Sequence, residues 1–131
     1  MTITSRNKYA LMAVFDLANA WTSGERALHL QQIAEHHHIP SGYLLQIMRP
    51  LCTAGIVYSA RGSKGGYRLT QPPSQTSIGD VIRAIEGANA WRTQPHQPPL
   101  PSPLHEVLEG ALRDMMDVLN KKTFADLIPQ N

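Results

Sequence analysis

Between residues 56 and 69 the chain has little choice but to turn back on itself. Ile56-Val57-Tyr58-Ser59 is a β-prone run, and Tyr67-Arg68-Leu69 is another. Between them lies the tight, basic, glycine-rich stretch Arg61-Gly62-Ser63-Lys64-Gly65-Gly66. Branched and aromatic side chains suit a pleated strand, and glycines supply the backbone freedom a reversal needs. The segment therefore predicts a β-hairpin with a positively charged tip. What precedes it narrows the fold further. Ser41 reads as the N-cap of a helix over 41–54 that Gly55 closes, with Leu44, Ile47, Met48 and Leu51 recurring on one face. Upstream, Leu28 and Leu30 lead into a short helix with Ile33 and Ala34 inward. It ends near Ile39-Pro40, because the residue before proline avoids the α region. Two short helices joined by a turn, then a basic-tipped hairpin, form the pattern of a winged helix-turn-helix.

The flanks are helical. Ser5 to Trp21 carries a broad apolar face (Tyr9, Leu11, Met12, Val14, Phe15, Leu17, Ala18) that Thr22-Ser23-Gly24 brings to a stop. Ser77 and Asp80 make a capping-box-like start to a helix with Val81, Ile82 and Ile85, stopping at Gly87. Residues 88–103 hold Pro95, Pro98, Pro99, Pro101 and Pro103 and read as a linker. Pro103 to Lys121 is a long amphipathic helix, after which Thr123 caps a short turn. The expected fold is mainly α with a small β-hairpin wing. Residues 1–87 form a winged helix-turn-helix, 88–103 a proline-rich linker or sensory segment, and 104–131 a dimerisation helix with a C-terminal turn.

The net charge of +2 is small, but its distribution is uneven. Residues 1–75 carry seven Lys/Arg against three Asp/Glu, and residues 76–131 carry five against seven. The first part is thus the surface suited to a polyanion. The single cysteine, Cys52, excludes an intramolecular disulfide framework and a clustered-cysteine metal site. No secretory apolar segment and no run near ~18 apolar residues is present, so a cytoplasmic chain without membrane contact is expected.

A recognition helix reads base edges with side chains near its N-terminus. Ser41, Tyr43, Gln46 and Arg49 are the exposed positions expected here. Gln46 suits adenine, and Arg49 suits guanine or a phosphate. By themselves these are also ordinary residues of a solvated helix, and the adjoining wing is what favours base reading. Arg61, with Gly62, Ser63 and Lys64, presents a guanidinium on a narrow tip able to enter a minor groove. A nucleotide-binding loop is the competing reading of these glycines. It lacks both a Gly-Lys-Ser/Thr ending and the Gly-x-Gly-x-x-Gly spacing, and it joins two strands rather than a strand and a helix. Ser5, Lys8 and Tyr9, with Arg6, stand at the first helix's N-terminus, where phosphate contacts are favoured.

The order Tyr43-Leu44-Leu45-Gln46-Ile47, Leu51-Cys52-Thr53-Ala54-Gly55-Ile56-Val57, the wing, and Ile78-Gly79-Asp80-Val81-Ile82-Arg83-Ala84-Ile85-Glu86-Gly87 resembles one bacterial family. It is the winged-helix family that contains IscR, NsrR and CymR, and the resemblance extends to Thr123-Phe124-Ala125-Asp126-Leu127. It implies a sequence-specific DNA-binding regulator, a repressor, that binds an inverted-repeat operator as a homodimer through long C-terminal helices. Here that surface is Leu104, Val107, Leu108, Ala111, Leu112, Met115 and Leu119. The competing reading folds this stripe back onto its own domain. Leu45 departs from the glutamate often found there in the family, which puts the operator sequence in doubt; Pro50 has counterparts in CymR-like members. Cluster-binding members carry three cysteines before the long helix. Residues 88–104 have none, so no iron–sulfur cofactor is expected.

His96 lies in that stretch and His105 just after it, without thiolates to join them. His36-His37-His38 reads as a polar helix end, because adjacent helical side chains diverge by about 100° and do not readily share an ion. No metal ligand is assigned. Cys52 reads first as a small buried hydrophobe and second as a redox switch, which requires exposure and a lowered thiol pKa. No catalytic constellation is present, so the chain is not expected to be an enzyme. The signal remains a choice among a small-molecule effector, a metabolic-enzyme partner and cysteine oxidation. Two functional rivals stand beside the regulator: a protein-interaction module tied to a metabolic enzyme, and a metal or cofactor sensor using ligands other than cysteine.

Overall fold

A computed structural model of the chain describes residues 3–25, 27–61, 65–87 and 98–129. The expected DNA contacts Gly62, Ser63 and Lys64, and most of the linker including His96, lie outside the described residues.

Helix α1 (Ser5–Ser23) begins where the Thr4 hydroxyl accepts the Asn7 amide at 3.1 Å. It runs past Trp21 because the Thr22 and Ser23 hydroxyls donate back to the carbonyls of Ala18 and Ala20 and so do not break it. Gly24 ends it, at φ 89°. A two-residue strand β1 (Ala27–Leu28) precedes helix α2 (Leu30–His37), which stops as His38 turns left-handed at φ 55°. Helix α3 (Ser41–Thr53) buries Leu44, Ile47, Met48 and Leu51, as the periodicity predicts.

Ser41 does not cap α3. It is the helix's first residue, Pro40 holds the cap position without a side-chain bond, and the Ser41 hydroxyl donates to Gln31 Oε1 at 2.9 Å. The fixed φ of proline already suits the entry into the turn, which leaves the serine free to bind across to α2.

Strands β2 (Val57–Ala60) and β3 (Gly66–Leu69) form the expected hairpin, with Val57 opposite Leu69 and Ala60 opposite Gly66. β1 adds to the other side of β3, giving an antiparallel sheet of order β1-β3-β2. Gly66 has a structural reason of its own. Its φ is 112°, and a Cβ there would meet the Leu28 carbonyl oxygen at 2.5 Å. The glycine admits β1.

Helix α4 (Ile78–Glu86) opens on a complete capping box, Ser77 accepting the Asp80 amide and Asp80 accepting the Ser77 amide. Helix α5 (Ser102–Lys121) lies against α4, and Asn120 contributes to that contact by accepting from the Arg83 guanidinium. The chain then returns. The Ile78 amide donates to the Lys122 carbonyl at 2.8 Å and the Phe124 amide to the Thr76 carbonyl at 3.0 Å. Phe124 and Ile128 join the core formed by α1, α3 and the sheet.

Candidate nucleic-acid interface

Burying Leu44, Ile47, Met48 and Leu51 leaves α3 a definite outer face: Gly42, Leu45, Gln46, Arg49 and Thr53 are exposed. They recur at three- and four-residue intervals, so they share one side of the helix. Gln46 and Arg49 are thus presented together. Ser41 and Tyr43 differ from expectation, being half-buried. Ser41 belongs to a chain of bonds in which Gln31 also donates to Glu35 at 3.0 Å, fixing the turn between α2 and α3. The Tyr43 ring meets Tyr9 edge to face, centroids 5.7 Å apart, and so ties α3 to the N-terminal part of α1.

That end of α1 exposes Ser5, Arg6 and Lys8. It also carries an anchor that sequence reasoning missed. Glu86, at the end of α4, accepts from Asn7 Nδ2 at 2.9 Å and from the Thr4 hydroxyl at 3.3 Å. The partners are 79 and 82 residues apart, so no local pattern announces them. A carboxylate near a helix N-terminus is favourable, and here it holds α1 and α4 at a fixed angle. Ser5, Arg6 and Lys8 are left as polar groups turned to solvent.

At the other end of α3 stands the sheet. Burial, and after it the neighbouring Cys52, raise the Tyr67 pKa on β3, while the Arg49 guanidinium lowers it. Arg49 therefore lies near the base of the wing. Arg61 is exposed where β2 passes into the tip. Cys52 is half-buried, and desolvation pushes its thiol above the ordinary value. That is the opposite of the shift a reactive thiolate needs. Iron–sulfur clusters rest on thiolate ligands. With Cys52 the one cysteine in the sequence, and placed on α3, the donor set does not fit a cysteine-ligated cluster.

These elements match known proteins. The family described as Rrf2, iron-dependent transcriptional regulator, matches residues 3–130. The chain belongs to the Rrf2 family. The relatives it matches are named as HTH-type transcriptional regulators, not as enzymes. CymR of Bacillus subtilis is 38% identical over 87 residues, covering 66% of this chain and 62% of that protein. IscR of Cereibacter sphaeroides is 33% identical over 94 residues, covering 71% and 61%. The matched stretch spans less than two thirds of these relatives. In three dimensions the likeness is fuller. The solved structure of CymR, the global cysteine regulator of B. subtilis, superposes with a TM-score of 0.81 at 30% identity, over 97% of this chain and 95% of that one. T. potens IscR gives 0.79 at 29% identity, over 100% and 94%.

Helix α5 contrasts with the rest. Met116 is its one buried residue. Leu104, Val107, Leu108 and Ala111 are exposed, as is Val118, while Leu112, Met115 and Leu119 are half-buried. Val107 is 69% exposed and Leu104 55%. Leu104, Val107 and Leu108 are left uncovered by the described residues of their own domain, whereas Leu112, Met115 and Leu119 are covered in part. His105 is also exposed on this helix. Among the described residues, no helix is long and apolar enough to cross a membrane.

Proposed function

We propose that this chain is a cytoplasmic repressor that reads an inverted-repeat operator as a homodimer and holds no cysteine-ligated iron–sulfur cluster. The observation that carries the reading is the outer face of α3, with Gln46 and Arg49 presented between the α1 N-terminus and the wing. Gln46 and Arg49 read bases in the major groove, Arg61 and the loop 62–64 engage the minor groove, and Ser5 and Lys8 position the backbone. Tyr9, Tyr43 and Ser41 act by orienting the helices, with contact to phosphate at their polar ends. Dimerisation is supported by the apolar stripe on α5, because a contiguous exposed apolar patch marks an interaction surface. In this division of labour residues 1–87 bind DNA and 104–131 associate. Cys52 serves packing, so the signal enters through a small molecule, an enzyme partner or another site.

The test is selection of bound genomic fragments by the purified protein, followed by binding measurements with Arg61→Ala. The expected result is affinity lost by tenfold or more, with an unchanged melting temperature. Affinity that falls steeply between 50 and 200 mM salt accompanies it if ~6–10 phosphates are neutralised per dimer. Retained affinity in Arg61→Ala, or salt-insensitive binding, contradicts the reading. A reporter placed behind a selected fragment separates repression from activation.

A further inference from the structure

Asp16 sits on the inward side of α1, next to the fully buried Val14 and Leu17, and its side chain is 9% exposed. A carboxylate so placed requires partners. It has two, and both reach the same oxygen. His36 Nδ1 lies 3.0 Å from Oδ2 and His37 Nε2 lies 2.9 Å from it. Adjacent helical side chains diverge, yet these two rings meet at one oxygen for a geometric reason. His36 uses the ring nitrogen near its backbone and His37 the far one. The different reach compensates for the angular offset, bringing the ring centroids to 4.2 Å.

We propose that Asp16, His36 and His37 form a binding site for one divalent first-row transition-metal ion. The three ligand atoms all lie within 4.8 Å of one another. Ligands at ~2.1 Å from a metal and at right angles to each other are ~3.0 Å apart, against ~3.4 Å for a tetrahedral pair. The two oxygen–nitrogen edges of 2.9 and 3.0 Å match the right-angled arrangement, and the nitrogen–nitrogen edge, within 4.8 Å, is the one that has to close onto the ion. Two imidazoles and one carboxylate select transition ions over calcium or magnesium, which take oxygen sets. With both histidines neutral, the donors carry one negative charge, so a bound dication retains a single positive charge. Its remaining positions are open to water, because the cluster borders a shallow depression lined also by Asn19, Glu25 and Gln32, and His36 is 67% exposed.

The placement gives the ion a consequence. Asp16 belongs to α1, and the histidines close the last turn of α2, immediately before the left-handed residue His38 and the turn into α3. An ion here clasps the first helix of the helix-turn-helix to α1. It therefore stabilises the arrangement that presents Gln46 and Arg49. Ligand binding to the folded state alone raises its stability, by an amount that grows with the logarithm of free ion concentration above Kd.

The test uses the full chain stripped with chelator and then titrated with Zn²⁺ and Co²⁺. The expected result is one ion per chain by calorimetry, visible d–d absorption with Co²⁺, and a raised melting temperature. His36→Gln and His37→Gln each weaken binding at least tenfold, whereas His96→Gln/His105→Gln leaves it unchanged. Failure to saturate at 1 mM ion, or binding abolished only by the His96/His105 variant, overturns the proposal. Anomalous scattering from Zn²⁺-soaked crystals of the wild type decides the matter even if the variants fold poorly: a peak between Asp16 and the two histidines supports it, and a peak elsewhere refutes it. Metal-free DNA binding is measured in parallel, so loss of the ion site and loss of the operator reading are separable.

Discussion

Helices α3 and α5 are both amphipathic, and they use their apolar faces in opposite ways. α3 turns Leu44, Ile47, Met48 and Leu51 into the core and shows solvent a mostly polar side. α5 buries Met116 and shows solvent Leu104, Val107, Leu108 and Val118. The first helix is complete within one chain. The second has an apolar side whose first half the described residues leave uncovered. The difference teaches that periodicity alone identifies an apolar face but not what covers it. For α3 the cover is one's own core, and for α5 it is, in our reading, a second copy.

Substitutions sharpen this contrast, and the largest effect belongs to α3. Leu44→Ala removes a fully buried side chain and is expected to cost about 2–5 kcal/mol in urea denaturation. An effect no larger than that of Val107→Ala breaks the comparison. Next is the α5 face. Replacing Val107 and Leu108 by Glu is expected to weaken self-association about a hundredfold or more, at roughly 1.5 kcal/mol or more per apolar side chain returned to water. Sedimentation across a concentration series reads this, and a chain that is monomeric without any substitution refutes the association.

A smaller loss is expected from Gln46→Ala: about 1–3 kcal/mol of operator affinity, concentrated at one base position, with the urea midpoint unmoved. Uniform loss across all sequences places Gln46 on phosphate instead. The smallest effect is at Asp126. Hydrogen bonds from the Thr123 backbone and hydroxyl hold its carboxyl below the ordinary range. A depressed folded pKa stabilises above the unfolded value and is lost as pH falls through the folded one. Amide-exchange protection of the 123–127 turn should therefore weaken below about pH 4, and Asp126→Asn should flatten that dependence.

Local chemistry made much of this fold legible. The α3 face, the Ser77–Asp80 box, the Thr123 cap and the hairpin each follow from residues within a few positions of one another. What escaped the sequence depends on distant pairings. β1 is two residues long and exists because β3 lies beside it. Glu86 gains its role from Thr4 and Asn7, and Asp16 from two histidines twenty and twenty-one residues on. Ser41 looks like a cap in the sequence, but its hydroxyl's partner, Gln31, belongs to another helix. In the candidate interface, Gln46, Arg49 and Arg61 stand exposed as periodicity and loop chemistry predict, while Tyr9 and Tyr43 pair with each other.

The return of the chain after α5 bears on how the molecule can be dissected. Thr123 bridges to Ser77, and Phe124 and Ile128 are 1% and 6% exposed in the core they share with α1, α3 and the sheet. Cutting the chain after Lys121 would not trim a tail. It would pull a plug, opening the space under α1 and α4 to water. A folded fragment without α5 therefore cannot be made by truncation alone. It has to keep residues 123–128, joined back across the excised helix by a short linker.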